Sequence, residues 1–188
     1  NNTGNVTAYS PNITFTKNSS INITPNNYTF NNMGSGSVLG SVFAVNISAL
    51  TSPGTYNISA LMSYRNPDNT YSSNSLVFNI TVRSNKSMTY APSNIGLTVA
   101  PGGSNSTIIE INNTGNEQLS YLNLSCISGN ACSRFTISTN QSNFTITTNS
   151  SGSVNITFSA SLSVAGGYYT GTINITERNI SRQISVNL

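Results

Sequence analysis

Apolar and polar residues alternate along most of this chain, in short runs separated by turn-forming residues. At 56–64 and again at 76–82, apolar residues occupy every second position. Because successive side chains of a β-strand point to opposite faces, this period of two predicts half-buried strands. The runs end at turns such as T-S-P-G-T around Pro53 and R-N-P-D-N around Pro67. No segment keeps a helical period for more than two turns, so we predict an all-β protein.

The runs divide the chain into two halves. The first half has about five clear strands, and the second has eight short ones at intervals near ten residues. Such spacing is typical of an immunoglobulin-like sandwich. A polar stretch at 84–93 is predicted to connect the halves. We therefore predict two immunoglobulin-like β-sandwich domains in tandem, at 17–86 and 87–188, preceded by an extended N-terminal strand at 1–16.

One tripeptide recurs along these strands. Twelve Asn-x-Ser/Thr sequons have an apolar middle residue, and eight of the twelve read N-I-T or N-I-S. On a strand, the Asn and the Ser or Thr share one face, whereas the middle residue points to the other. Each such tripeptide therefore predicts a core residue and an outward acceptor for an N-glycan.

Sequons are more frequent than the composition explains. The chain has 31 Asn, 32 Ser and 23 Thr, and it has 19 sequons. Chance would give about nine. The excess predicts that many acceptors carry sugar. The predicted N-glycosylation sites are Asn1, Asn5, Asn12, Asn18, Asn22, Asn27, Asn46, Asn57, Asn79, Asn85, Asn105, Asn112, Asn123, Asn140, Asn143, Asn149, Asn155, Asn174 and Asn179.

Charged side chains are sparse and scattered. They make up 6% of the chain, the net charge is +3, and the seven basic residues form no cluster with aromatic residues. Nucleic acid is therefore not an expected partner. With four carboxylates and no His, acid has few groups to titrate, so we expect an acid-stable protein. The longest apolar run begins at Val38 and is strand-sized, so no membrane span is expected.

The side chains that most enzymes use are missing. The absence of His argues against the usual general base, Ser-His-Asp systems and most zinc sites. No catalytic residue, metal site or cofactor is predicted, and we expect each acid on the surface of a strand or turn. The four acids are Asp68, Glu110, Glu117 and Glu177. An internal isopeptide bond needs a buried Lys beside an acid, and we do not expect one because Lys17 and Lys86 are both in polar segments.

Two cysteines, Cys126 and Cys132, flank the Gly-containing segment I-S-G-N-A. Nearby cysteines of a secreted protein usually pair, whereas a metal site here lacks His and further Cys to complete it. We predict a disulfide that closes this short loop.

Three segments of the second half resemble the immunoglobulin-like modules common in archaeal and bacterial surface proteins. They are P-G-G-S at Pro101, N-N-T-G-N at Asn112 and A-G-G-Y-Y-T-G-T-I at Ala165. The resemblance runs from about residue 94 to about residue 186. It implies a fold rather than a function.

The N-terminal segment allows two interpretations. Its apolar residues are Val6 and Ala8, then Ile13 and Phe15. In one interpretation, residues 1–16 provide the first strand of their own domain. In the other, they are a donor strand that completes a sheet of another subunit through edge hydrogen bonds and side-chain pockets.

The whole chain is similar to the thread-type surface filaments of thermoacidophilic archaea. It shares with them immunoglobulin-like domains, dense N-I-T sequons, few charges and an N-terminus without a pilin helix. The resemblance implies subunits joined head to tail by the inserted N-terminal strand, as in bacterial chaperone-usher pilins. Val6, Ala8, Ile13 and Phe15 are then the donor-strand residues.

We therefore expect a structural subunit of an extracellular, heavily N-glycosylated filament or pilus on the cell surface, serving adhesion or cell-cell contact. Its expected partners are copies of itself and covalent N-glycans. Two alternatives remain open. One is a monomeric adhesin or surface-layer module, and the other is a non-catalytic accessory module of a secreted glycoside hydrolase.

Overall fold

The alternating runs form strands in a computed structural model that describes all residues, Asn1–Leu188. The protein is all-β with a single short helix. It divides into two compact units, unit 1 (Asn1–Arg83) and unit 2 (Ser84–Leu188), each with its own hydrophobic core. The single helix has five residues, too few to span a membrane.

Unit 1 contains six strands in two antiparallel sheets. A four-stranded sheet has the order β3-β1-β5-β6, and a two-stranded sheet pairs β2 with β4. The strands are β1 (Tyr9–Thr16), β2 (Ile21–Thr24), β3 (Asn27–Thr29), β4 (Ala44–Ile47), β5 (Gly54–Arg65) and β6 (Tyr71–Val82).

The core of unit 1 is small. Phe15 of β1 packs with Ile21, Ile23 and Ile58, and its ring centroid lies 4.7 Å from that of Phe43. The two-stranded sheet has four residues in each strand, whereas β5 and β6 have twelve, so it covers only part of the larger sheet. As a result, Leu76 of β6 stays exposed, and Val38 and Val42 in the segment between β3 and β4 are exposed as well.

Unit 2 is a two-layer β-sandwich with a much larger core. One sheet has the order β12-β10-β14-β15-β8 and the other β11-β13-β9-β7, and only the β15–β8 pair is parallel. Apolar side chains from both sheets, such as Ile109 and Phe158 from one and Leu122 and Ile175 from the other, fill the space between them. The elements are β7 (Met88–Ala91), β8 (Asn94–Gly96), β9 (Ser104–Asn113), β10 (Leu119–Ser128), α1 (Asn130–Arg134), β11 (Phe135–Thr139), β12 (Phe144–Ile146), β13 (Ser151–Ala160), β14 (Thr170–Glu177) and β15 (Ile180–Asn187).

The polar stretch at 84–93 is part of unit 2. Met88 is buried, and β7 pairs with β9. Just before β7, the Asn85 N–H donates to Asn116 Oδ1 at 2.7 Å, and the Asn116 N–H donates to the Asn85 carbonyl at 2.9 Å. Gly115 permits this approach, because a Cβ there would collide with the Asn85 carbonyl. The main chain of this stretch is therefore hydrogen-bonded into unit 2.

The expectation that every acid lies on the surface is wrong for Glu177. Its side chain is 0% exposed, and Lys86 Nζ lies 2.7 Å from its Oε1. The Ser120 N–H donates to the same oxygen at 3.2 Å, and Glu117 Oε1 lies 3.8 Å from Lys86 Nζ. Lys86 is thus beside a buried acid despite its polar surroundings in the sequence. The other oxygen, Oε2 of Glu177, has no hydrogen-bond partner.

The disulfide predicted between Cys126 and Cys132 is present, with a Cα–Cα distance of 5.6 Å. It closes the loop that contains most of α1. Asn130 at the start of the helix accepts a hydrogen bond through Oδ1 from the Thr170 N–H at 2.6 Å, which fixes the loop against β14.

Candidate functional site

Strand β1 occupies an interior position in its sheet although it is the first strand of the chain. It pairs with β3 along one edge and with β5 along the other, so that Ile13 lies opposite both Tyr28 and Met62. Its main chain is therefore hydrogen-bonded on both sides. Without β1, strands β3 and β5 would lose the strand that lies between them, and a vacant strand position would separate them in the sheet.

The four residues predicted for the donor strand have different environments. Phe15 is buried in the core of unit 1, and Ile13 packs against that core while staying half-buried. Ala8 is buried and forms an isolated bridge with Met33, whereas Val6 is exposed. All four residues lie within unit 1 of their own chain. Ile13 and Phe15 belong to β1, and Val6 and Ala8 precede it.

A short turn joins β1 to the rest of unit 1. Only residues 17–20 separate β1 from β2. The Ser20 N–H donates to Asn18 Oδ1 at 2.9 Å, and the Ile21 N–H donates to the Asn18 carbonyl at 3.1 Å. This turn is where the chain must open if β1 is to leave its position.

None of the 19 sequon asparagines is buried. Nine of the twelve apolar-centred sequons begin within a strand, and the three others, at Asn5, Asn143 and Asn179, begin outside one. Asn22 lies directly opposite Asn46 in the small sheet, and Asn57 lies directly opposite Asn79 in the large one. The acceptors therefore cover outward strand faces in both units, and their occupancy stays a prediction.

The middle residues of these sequons mostly point inward. Five are buried, namely Ile23, Ile58, Leu124, Ile156 and Ile175. Four more are half-buried, namely Ile13, Ile80, Phe144 and Ile180. The exceptions, Val6, Tyr28 and Ile47, are exposed and all belong to unit 1. Val6 precedes β1, Ile47 lies in the small sheet and Tyr28 lies in β3 at the edge of the larger sheet, and the rest of unit 1 covers none of these positions fully.

This difference predicts different costs for the same truncation. Ile175→Ala should lower the free energy of unfolding of unit 2 by about 3 kcal/mol, because it leaves a cavity in a filled core. Ile47→Ala should lower that of unit 1 by less than about 1 kcal/mol, because Ile47 is 39% exposed. Chemical denaturation of the two variants measures both values. Equal costs would contradict the difference in burial between the two middle residues.

The carboxylates and cysteines form no group of three or more that could hold a metal ion. The most buried charged group is Glu177, which is paired with Lys86, and Glu117 lies beside the pair. Sequence reasoning missed this pair, although a signal was present. Glu177 follows Ile173 and Ile175 at the same period of two, which places it on the inward face of β14.

No protein-family model and no curated protein matches this chain. Solved structures that resemble it do so weakly. A protein of unknown function from Porphyromonas gingivalis W83 is 14% identical with a TM-score of 0.42, over 100% of this chain and 86% of that one. The protocadherin gammaB7 EC3-6 structure is 14% identical with a TM-score of 0.45, over 95% and 40%. A family 123 glycoside hydrolase from Clostridium perfringens is 12% identical with a TM-score of 0.44, over 54% and 26%.

This chain spans less than half the length of the protocadherin and about a quarter of the glycoside hydrolase. Similarities at this level do not identify a function.

Proposed function

We propose that the chain is a non-catalytic structural subunit of an extracellular, N-glycosylated filament, and that its subunits are linked by exchange of β1. In this proposal both units are immunoglobulin-like sandwiches, and β1 of one subunit fills the position between β3 and β5 of the next. The filament serves adhesion or cell-cell contact.

The position of β1 is the observation that carries the proposal. An identical strand from another copy can make every contact that β1 makes at home, including the core packing of Phe15 and the pairing with β3 and β5. Exchange of an identical element costs little free energy for this reason. A head-to-tail contact that does not close into a ring extends into a filament.

The sequons support the same arrangement. Their asparagines line outward strand faces, where bulky sugars would hinder lateral packing of protein on protein. Contacts between subunits are then restricted to sheet edges and to positions within a sheet. Strand exchange needs only one strand position within a sheet.

One observation favours a second candidate. The pairing of β1 within its own chain is also what a monomeric surface module or adhesin would have. The two candidates differ only in whether β1 and β5 of a given sheet belong to one molecule.

A designed disulfide between β1 and β5 separates them. Thr14 and Leu61 are direct cross-strand partners, both exposed, in a geometry that suits a disulfide. After oxidation of assembled material, Thr14→Cys/Leu61→Cys should give a ladder of covalent multimers on a denaturing, non-reducing gel. A monomeric module would give one band at the mass of a single chain.

The matched control is Leu61→Cys/Ser75→Cys. These two residues are cross-strand partners on β5 and β6, which stay in one molecule under either candidate. This control should give a single band. Monomer bands for both variants in material that contains filaments would exclude β1 as the linking strand.

A further inference from the structure

A β-bulge in β1 turns Tyr9 toward the face that displays the sequon residue Asn12. Tyr9 pairs with Arg65 and Asn12 pairs with Ser63, so three steps along β1 match two steps along β5. Ser10, within the bulge, has a left-handed φ of 45°. Residues three apart in a regular strand point to opposite faces, and the extra residue of a bulge reverses that relation. Tyr9 and Asn12 therefore share the outer face of the sheet.

Beside Asn12, this outer face has a row of aromatic and guanidinium groups. Tyr9, Arg65 and Tyr71 are cross-strand neighbours on β1, β5 and β6. The Arg65 Cζ atom lies 5.6 Å from the centroid of the Tyr9 ring, and the Tyr71 side chain is 79% exposed. These three side chains and Asn12 line a groove of about 450 Å³. We call it the Tyr71 groove.

Hydrogen bonds hold Arg65 and the β5–β6 turn beside the Tyr71 groove. Arg65 Nη1 donates to Asn69 Oδ1 at 3.0 Å, within the turn that joins β5 to β6. In the same turn, the Thr70 hydroxyl and, with a smaller effect, the Thr70 N–H donate hydrogen bonds to the Asp68 carboxylate. Both bonds lower the pKa of Asp68. The guanidinium is therefore positioned before any ligand arrives.

The Asn12 amide is also held in place. Its Nδ2 donates to the Thr29 hydroxyl at 2.8 Å, and its Oδ1 accepts from the Thr14 hydroxyl at 2.9 Å. Nδ2 has two hydrogens, and N-glycosylation replaces one of them, so the bond to Thr29 can persist. A sugar on Nδ2 then begins at the wall of the Tyr71 groove.

We propose that the first sugars of an N-glycan on Asn12 lie in the Tyr71 groove. The apolar face of a sugar ring can pack on the Tyr71 ring, and the Arg65 guanidinium can donate to sugar oxygens. The docked glycan ties β1 to the β5–β6 hairpin. In a β1-exchanged filament, Asn12 and the two groove residues Arg65 and Tyr71 belong to different subunits, so the glycan reinforces the joint.

The docking depends on glycosylation as proposed above, but it does not depend on filament formation. Asn57 on β5 provides a matched comparison within the same sheet. The cross-strand pairs that flank it are Thr55 with Thr81 and Ser59 with Val77, so no aromatic residue borders it in register. A glycan on Asn57 has no comparable groove.

The test removes each sequon without removing its Asn. Thr14→Ala abolishes the Asn12 sequon, and Ser59→Ala abolishes the Asn57 sequon. Each full-length variant is produced in a glycosylating host and in a host that adds no glycans, and the Tm of the two forms is compared. Both forms of a variant lack the same hydroxyl, so the difference between their Tm values reports only the effect of the glycans.

We expect the stabilisation by glycans to fall by about 4 °C in Thr14→Ala and to stay unchanged in Ser59→Ala. In a Tyr71→Ala background, Thr14→Ala should leave the stabilisation by glycans unchanged. Equal changes for the two sequon variants, or an undiminished Thr14→Ala effect without Tyr71, would overturn the docking. Glycopeptide mass spectrometry that finds Asn12 bare while other sequons are occupied would overturn it as well. A chain with sugar on no sequon would instead refute the proposed glycoprotein.

Discussion

Deletion of residues 1–16 is expected to abolish filaments and to destabilise unit 1 while unit 2 keeps its stability. The deletion removes an interior strand and the Phe15 side chain from a core with only four buried residues. Unit 2 has its own core of seventeen buried apolar residues. Negative-stain images report polymers, and two-phase thermal melting reports the units separately.

A synthetic peptide of residues 1–16 should restore the melting transition of unit 1 in the truncated chain. Its Phe15→Ala version should bind at least about a hundredfold more weakly, because truncation of a buried Phe costs roughly 3–5 kcal/mol. Filaments formed by the truncated chain, without any peptide, would rule out β1 as the link. A truncated chain that ignored the peptide would show that the position between β3 and β5 does not accept a strand in trans.

The second large effect is expected at the buried ion pair. Lys86→Met should lower the free energy of unfolding of unit 2 by about 3 kcal/mol, because it leaves the fully buried Glu177 without its partner at 2.7 Å. Glu117 offers no compensation, since it is an acid as well. Urea or guanidinium denaturation measures the change.

Two further variants identify the cause. Lys86→Met/Glu177→Leu should recover most of the loss, since an apolar pair of similar size can replace a buried ion pair without cost. Lys17→Met removes a lysine that forms no ion pair and should change the stability of unit 1 by less than about 0.5 kcal/mol. Should the double variant be as unstable as Lys86→Met, the loss would come from packing rather than from an unpaired charge.

The period of two in the sequence predicted the long strands but not the way in which they are arranged. Strands such as β5 and β13 alternate over ten residues or more, so their inward residues could be read directly. The pairing of β1 with β3 could not be predicted, because β3 has three residues, all exposed, and no alternation. The same holds for β7, which pairs through its main chain and has one buried side chain, Met88.

Two features of the sites escaped prediction for physical reasons. Helix α1 has five residues, fewer than the two turns that a helical period needs in order to be seen. The row formed by Tyr9, Arg65 and Tyr71 depends on the bulge at Ser10, which changes which face Tyr9 points to. Counting along the chain places Tyr9 and Asn12 on opposite faces, and only the register with β5 brings them together. The burial of Glu177, by contrast, could have been predicted from the alternation of β14.

The double-sided pairing of β1 has a mechanical consequence for a filament built by its exchange. The hydrogen bonds of antiparallel strands run perpendicular to the strand direction. A pull directed along β1 loads the bonds to β3 and β5 in shear, all at once, instead of peeling them apart singly. Pulled in that direction, a strand paired on both sides withstands a sudden load better than a strand paired on one side only.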